Sequence, residues 1–143
     1  NTATNPVGTD HTVVAFAQSA TNAPVPGVTI TFRVLTGPNT GKTGTGTTGA
    51  DGKTSFTYHD DNGFGTDTIQ AFIGTLGSNV VSKSWVLECD VNSDGKVTQA
   101  DLLLIRAKNG QAASGPSDAY DANHDGVINV ADVRYCQLRL TPP

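Results

Sequence analysis

Val28-Thr29-Ile30-Thr31-Phe32-Arg33-Val34 alternates apolar and polar residues without a break, the period-2 signature of a strand with one face in a core and one in water. It sets the reading of its neighbours. Residues 12–17, 53–58, 66–73 and 80–87 are shorter strand candidates, and between them stand the turn signals Pro24-Val25-Pro26-Gly27, Gly37-Pro38-Asn39, Asp51-Gly52 and Asp61-Asn62-Gly63. Six or seven short strands so spaced predict an all-β antiparallel sandwich. Composition points the same way. The 143 residues are 36% apolar and 15% charged, against roughly 45–50% and about 25% in ordinary globular chains. Small polar residues fill the gap, with 16 Gly and 20 Thr. That mix suits strands and turns, not a helical bundle or coiled coil.

Charge and hydropathy exclude other classes. The net charge is −4 and the isoelectric point about 5.1, so nucleic acid is not an expected partner, since phosphate binding needs a basic patch. No apolar run approaches the roughly 20 residues that span a bilayer. No basic-then-apolar leader stands at Asn1, so the chain reads as a mature or excised piece of a longer protein.

The chain changes character near residue 88. Eighteen of the 20 threonines lie before residue 76, whereas the helix-favouring run Leu102-Leu103-Leu104-Ile105 lies well after it. Two regimes in one short chain predict two modules, 1–88 and 89–143. No Pro- or Ser-rich linker separates them: Glu88-Cys89 runs directly from the last strand into the next motif.

That motif is Asp90-Val91-Asn92-Ser93-Asp94-Gly95-Lys96-Val97-Thr98-Gln99-Ala100-Asp101, repeated 31 residues later as Asp121-Ala122-Asn123-His124-Asp125-Gly126-Val127-Ile128-Asn129-Val130-Ala131-Asp132. Oxygen-bearing side chains fall at loop positions 1, 3, 5, 9 and 12, with Gly at 6, the calcium-loop pattern of EF-hand type. Ca²⁺ is a hard ion that takes six to eight oxygens at about 2.3–2.6 Å. The expected ligands are Asp90, Asn92, Asp94, the Lys96 carbonyl, Thr98 and Asp101 in one site. In the other they are Asp121, Asn123, Asp125, the Val127 carbonyl, Asn129 and Asp132, for two Ca²⁺ in all. Gly95 and Gly126 allow the sharp turn that aims the position-7 carbonyl at the ion. Thr98-x-x-Asp101 and Asn129-x-x-Asp132 also read as helix N-caps. Helices are expected over 99–108 and 130–140, each beginning inside its own loop. A lone loop of this kind is sometimes a solvated turn; two matching copies, each followed by an apolar helix, are not.

Two resemblances attach to these motifs. Residues 22–32, 47–56 and 65–71 (Asn22-Ala23-Pro24-Val25-Pro26-Gly27 into a strand, Gly49-Ala50-Asp51-Gly52, and Gly65-Thr66-Asp67-Thr68-Ile69) resemble the signatures of bacterial Ig-like domains of the invasin/intimin type. Such domains are spacers and stalks, sometimes adhesive. The paired loops resemble a dockerin module: two calcium loops, each followed by one helix, with no helix entering either loop. Trp85-Val86-Leu87 reads as strand immediately upstream of Asp90 and leaves no room for an entering helix, which excludes an ordinary EF-hand pair. The fold class expected is therefore an Ig-like antiparallel sandwich followed by a small all-α dockerin.

The resemblance implies a partner, a cohesin domain of a scaffold or cell-surface protein, and an extracellular, secreted or surface-attached setting. The unbound chain is expected to be a monomer. Family contact positions fall here on Gln99 and Ala100, and on Val130 and Ala131, with Arg106, Lys108, Arg134, Leu138 and Arg139 as weaker candidates. Many dockerins carry Ser-Thr at both pairs, and this chain does not; its alternative is that these small residues pack against the other repeat. Cys89 and Cys136 are the only cysteines. A secreted setting favours a disulfide, and antiparallel packing of dockerin repeats would let the two positions meet; the alternative is two buried thiols packing as small apolar groups.

No catalytic constellation is present: His11, His59 and His124 are scattered, and no nucleophile elbow or Cys–His pairing occurs. Two functions compete with docking. One is a calcium-stiffened stalk or adhesin without a cohesin. The other is glycan binding, for which Trp85 and Tyr58 are the candidate stacking rings, although Trp85 in a strand reads first as core. Asp60, Asp61 and Asp67 form either a turn cluster or a further calcium site.

Overall fold

The computed structural model describes residues 2–115 and 118–142, and divides into two compact units, Asn1–Trp85 and Val86–Pro143. Unit 1 is built from strands β1 (Thr2–Pro6), β2 (Asp10–Phe16), β3 (Thr29–Thr36), β4 (Thr43–Thr47), β5 (Lys53–His59), β6 (Gly65–Ile73), the short β7 (Leu76–Gly77) and β8 (Val81–Val86), which reaches the boundary. One sheet runs in the order β1-β8-β6-β3-β4, with β7 added to β6; a second contains β2 paired with β5. The pairings β2–β5, β3–β4, β3–β6 and β6–β8 are antiparallel.

Alternation decides which side chains meet between the sheets. In β3, Ile30, Phe32 and Val34 are buried while Arg33 and Leu35 are exposed. They pack with Ile69 of β6 and Trp85 of β8 against Val13, Phe56 and Tyr58 of the β2–β5 pair. Phe56 stacks between Phe32 and Tyr58, with ring centroids 5.7 and 5.5 Å away. Glycine is required opposite it: a Cβ on Gly44 in β4 would lie 2.2 Å from the Phe56 ring.

Unit 2 holds helices α1 (Gln99–Ala107) and α2 (Val130–Gln137) and a two-stranded antiparallel sheet, β9 (Gln111–Ala112) with β10 (Val127–Ile128). This overturns the expected fold class. Among the described residues the chain is mostly β with two helices of nine and eight residues, and no separate all-α domain follows the strands. The physical reason lies in the loops. Positions 7 and 8 of loop two form strand β10, and in both loops the backbone at position 8 needs partners. Loop two finds them in β9 and the residues that flank it: Gly110 N–H donates to Ile128 O at 2.7 Å and Ala113 N–H to Gly126 O at 2.9 Å. Loop one finds them in the segment after α2: Thr141 N–H donates to Val97 O at 2.8 Å, and Val97 N–H to Thr141 Oγ1 at 2.8 Å. Adding 31 to 110 gives 141 and subtracting 31 from 128 gives 97, so the two pairings are one arrangement repeated: the residues after each helix strap the loop of the other repeat.

The helices are shorter than the sequence predicts. α2 ends at Gln137 with Leu138 as its C-cap, so Arg139 and Leu140 are outside it. Of the run 102–105, Leu102 and Ile105 are buried whereas Leu103 and Leu104 are 54% and 39% exposed. The unit's core is Cys89, Val97, Leu102, Ile105, Ala122, Ile128, Val133 and Cys136. Cys89 and Cys136 form a disulfide with a Cα–Cα distance of 5.5 Å. Their counterparts under the 31-residue repeat are Tyr120 and Ile105, which belong to the same core.

Candidate functional site

Both loops fold the same way, bond for bond. Asp90 accepts from Asp94 N–H (Oδ1, 3.0 Å) and Gly95 N–H (Oδ2, 2.8 Å). Asp121 accepts from Asp125 N–H (3.1 Å) and Gly126 N–H (2.9 Å). Asn92 and Asn123 each accept from the position-5 N–H and donate Nδ2 to the position-5 carboxylate. Ser93 and His124, at position 4, have φ of 60° and 59°, and Gly95 and Gly126, at position 6, have 84° and 91°. The glycines are needed there, because ordinary residues avoid left-handed backbone. His124 itself is exposed.

Position 12 ties loop to helix. Asp101 accepts from Asn92 N–H through Oδ1 (3.3 Å) and from Thr98 N–H through Oδ2 (2.8 Å). Asp132 does the same with Asn123 N–H (3.1 Å) and Asn129 N–H (2.8 Å). Each carboxylate completes a capping box with the N-cap Thr98 or Asn129, so one side chain orders the loop and starts the helix. The two caps differ in what else they donate to: Thr98 Oγ1 to Asp101 Oδ2 at 3.3 Å, and Asn129 Nδ2 to the Val127 carbonyl at 3.0 Å.

The electrostatics of this arrangement favour a cation. Asp101 and Asp132 are fully buried, Asp121 is 3% exposed and Asp90 8%. Among the described residues none of the four has a basic side chain within ion-pair distance; the salt bridges are Lys42–Asp61, His59–Asp10 and Arg139–Glu88. Buried carboxylates are ordinarily paired or bound to metal. Asp125 is held below the usual carboxylate range by the Asn123 amide and the Val127 N–H. Among the described residues no three His, Cys, Asp or Glu side chains converge as a metal-holding group. The amide oxygens of Asn92 and Asn123 and the carbonyls of Lys96 and Val127 are the further oxygens that the loop pattern offers beside the carboxylates. All these donors are oxygens, which fits Ca²⁺ and not a soft metal.

The expected contact residues lie outside this core. Gln99, Ala100, Val130 and Ala131 open the two helices and are all exposed, as are Arg106, Arg134 and Leu138; packing against the other repeat does not hide them. Lys108 is half-buried, with its ammonium 3.7 Å from the Tyr120 ring centroid. Arg139 bonds Glu88 at 2.8 Å and stacks on Tyr135, whose hydroxyl donates to Glu88 at 2.8 Å. Leu103 and Leu104 join the exposed apolar set. Sequence reading missed them because a run of four apolar residues does not itself say which helix face is wet; the 3.6-residue period through Leu102 and Ile105 would have.

Unit 1 resolves two further expectations. Trp85 is 1% and Tyr58 5% exposed, so neither is a platform for a sugar. Asp60 and Asp67 are turned inward and saturated: Asp67 accepts from Asn39 N–H, Asn39 Nδ2, Tyr58 Oη and Trp85 Nε1. Burial would raise the Asp60 carboxyl, but donation from the Asn39 amide and from the N–H groups of Gly8, Gly63 and Asn62 brings it below the ordinary range. Asp61 pairs with Lys42. These residues build a turn network, which was legible in one respect: Asp67 and Lys83 share inward parity with Ile69 and Trp85.

Together the loops and helices define a paired loop–helix module whose outer helix faces are free among the described residues. Residues 88–136 match the family of the dockerin type I domain, which marks that stretch as a non-catalytic binding module. The β-rich unit 1 is consistent with an Ig-like domain. No curated protein sequence matches the chain significantly. Among solved structures, a chain from the crystal structure of a type II cohesin–X–dockerin complex, an N-terminal interface mutant from Acetivibrio cellulolyticus, is 18% identical, with 94% of this chain and 97% of that chain covered and a TM-score of 0.35. At that score the two folds are not equated. No helix among the described residues is long and apolar enough to cross a membrane.

Proposed function

We propose that unit 2 is a calcium-dependent docking module that binds a cohesin and so anchors a larger extracellular protein, with the Ig-like domain over 1–88 as an adjoining spacer and the docking domain over 89–143. The observation that carries it is the pair of loops with matching hydrogen bonds whose buried carboxylates lack cationic partners among the described residues, each opening a helix with an exposed Gln99-Ala100 or Val130-Ala131 face. Two Ca²⁺ would be held by Asp90, Asn92, Asp94, the Lys96 carbonyl, Thr98 and Asp101, and by Asp121, Asn123, Asp125, the Val127 carbonyl, Asn129 and Asp132. When bound, the ions supply the positive charge that these buried carboxylates otherwise lack. The chain's own residues then present α1 and α2 to the partner. The disulfide and the family both fit an extracellular setting. The test is recovery of partners from the source's secreted proteins in calcium and in chelator. A cohesin-bearing protein captured only in calcium supports the reading; none captured under either condition favours a calcium-stiffened stalk.

A further inference from the structure

The interior of unit 1 contains a lysine with nothing to bind. Lys83 of β8 is fully buried and its Nζ has no hydrogen-bond partner among the described residues; it lies over the Trp85 ring, 4.6 Å from the centroid. Its direct cross-strand neighbour is Asp67 of β6, and paired residues of adjacent strands share a face. Asp67 is also fully buried, yet the two make no ion pair: the carboxylate is occupied by Tyr58, Trp85 and Asn39.

Asn39, in the turn between β3 and β4, is fully buried too, and its amide is set up unusually. Nδ2 donates to Asp60 Oδ1 at 2.7 Å and to Asp67 Oδ2 at 3.0 Å, while Oδ1 accepts the Asp61 N–H at 3.2 Å. The two carboxylates fix the orientation of the carboxamide, and the Asp61 N–H sits on the oxygen where negative charge would develop, as a donor does in an oxyanion site. Burial brings the Lys83 ammonium down to about 8, against the opposing pull of Asp67, so an appreciable share of it is neutral amine near neutral pH.

We propose that Lys83 and Asn39 are joined by an intramolecular isopeptide bond. The Lys83 side chain swings off the Trp85 face, and the Nζ lone pair attacks Asn39 Cγ. The developing negative charge on Oδ1 is met by the Asp61 N–H. The Cγ–Nδ2 bond breaks as Cγ–Nζ forms, and Asp67 carries one proton from Nζ to Nδ2, which leaves as ammonia. The carboxylate of Asp67 is regenerated, nothing is oxidised or reduced, and no co-reactant is needed. The link ties the β3–β4 turn to β8, the last strand of the unit, and removes an unpaired ammonium from the core.

The test is the intact mass of the full chain after reduction of its disulfide. The expected value is the sequence mass less one ammonia, and a digest is expected to contain a branched peptide with both Lys83 and Asn39. Asn62-Gly63 and Asn109-Gly110 can also lose ammonia through backbone cyclisation, so K83R is the control: it is expected to regain the full mass while Trp85 fluorescence reports that it is folded. An unshifted wild-type mass, a loss that persists in K83R, or a loss of water instead of ammonia would each overturn the assignment.

Discussion

Asp67 gathers four donors on one carboxylate: the Asn39 backbone and side chain, the Tyr58 hydroxyl and the Trp85 indole. Each donor is buried, so removal of the acceptor strands all of them at once. D67A is expected to destabilise unit 1 by about 3–5 kcal/mol, the range for breaking a buried charged network by removing one member. Trp85, the only tryptophan, reports it directly by fluorescence in urea. Tyr58 gives a pH signature at the same place. Burial and then the Asp67 charge raise its hydroxyl above the ordinary value of 10. The unfolded chain therefore releases this proton at lower pH than the folded one, so the contribution is fully present below pH 10 and is lost as pH rises further. Y58F forfeits about 1 kcal/mol of hydrogen bonding at neutral pH, but it has no proton to lose. The stability gap between wild type and Y58F is expected to shrink above pH 10; a constant gap would show that Tyr58 titrates alike in both states.

At the scale of elements, the straps that cross between repeats matter more than helix propensity, since α1 and α2 are too short to persist alone. Val97 is buried, and its N–H is satisfied by Thr141 Oγ1. T141V keeps the shape but removes that acceptor, and is expected to cost about 1–3 kcal/mol, read from the 222 nm signal in denaturant. Q111A, whose strand bonds are made by backbone, is expected to cost well under 1 kcal/mol. This contrast also marks where the sequence was legible. The repeated loops and their caps could be read because Asp-x-Asn-x-Asp-Gly and the capping boxes put named side chains at fixed offsets. The strands of unit 1 could be read because Ile30, Phe32 and Val34 alternate. The β9–β10 pair could not, since Gln111-Ala112 carries no strand pattern and pairs only because Val127-Ile128 presents unpaired backbone. Thr141 was invisible for the same reason. Nor could the meeting of Asn39, in a turn signal, with Asp67, in the strand candidate 66–73, be read, because local sequence does not show that a turn folds inward over a core.

At the scale of the molecule, the two units have separate buried clusters, and among the described residues all the helix belongs to unit 2. Calcium removal is therefore expected to lower the midpoint followed at 222 nm and to leave that followed by Trp85 fluorescence in place, because the four buried loop carboxylates lie in unit 2 alone. The disulfide sets how far this goes. Cys89 and Cys136 close a loop with a sequence separation of 47, which on loop-closure entropy constrains the unfolded unit by about 4 kcal/mol. On the proposed reading, calcium would act on the other side of the balance, by binding the folded loops. The two supports are thus independent, and loss of one is survivable where loss of both is not. The oxidised protein in chelator is expected to keep part of its helix signal, and so is the reduced protein in excess calcium. The reduced protein in chelator is expected to lose that signal entirely, with Trp85 fluorescence still native. A four-condition comparison by circular dichroism checks it: full helicity in the reduced, chelated sample would mean that neither the metal nor the bridge holds the repeats together.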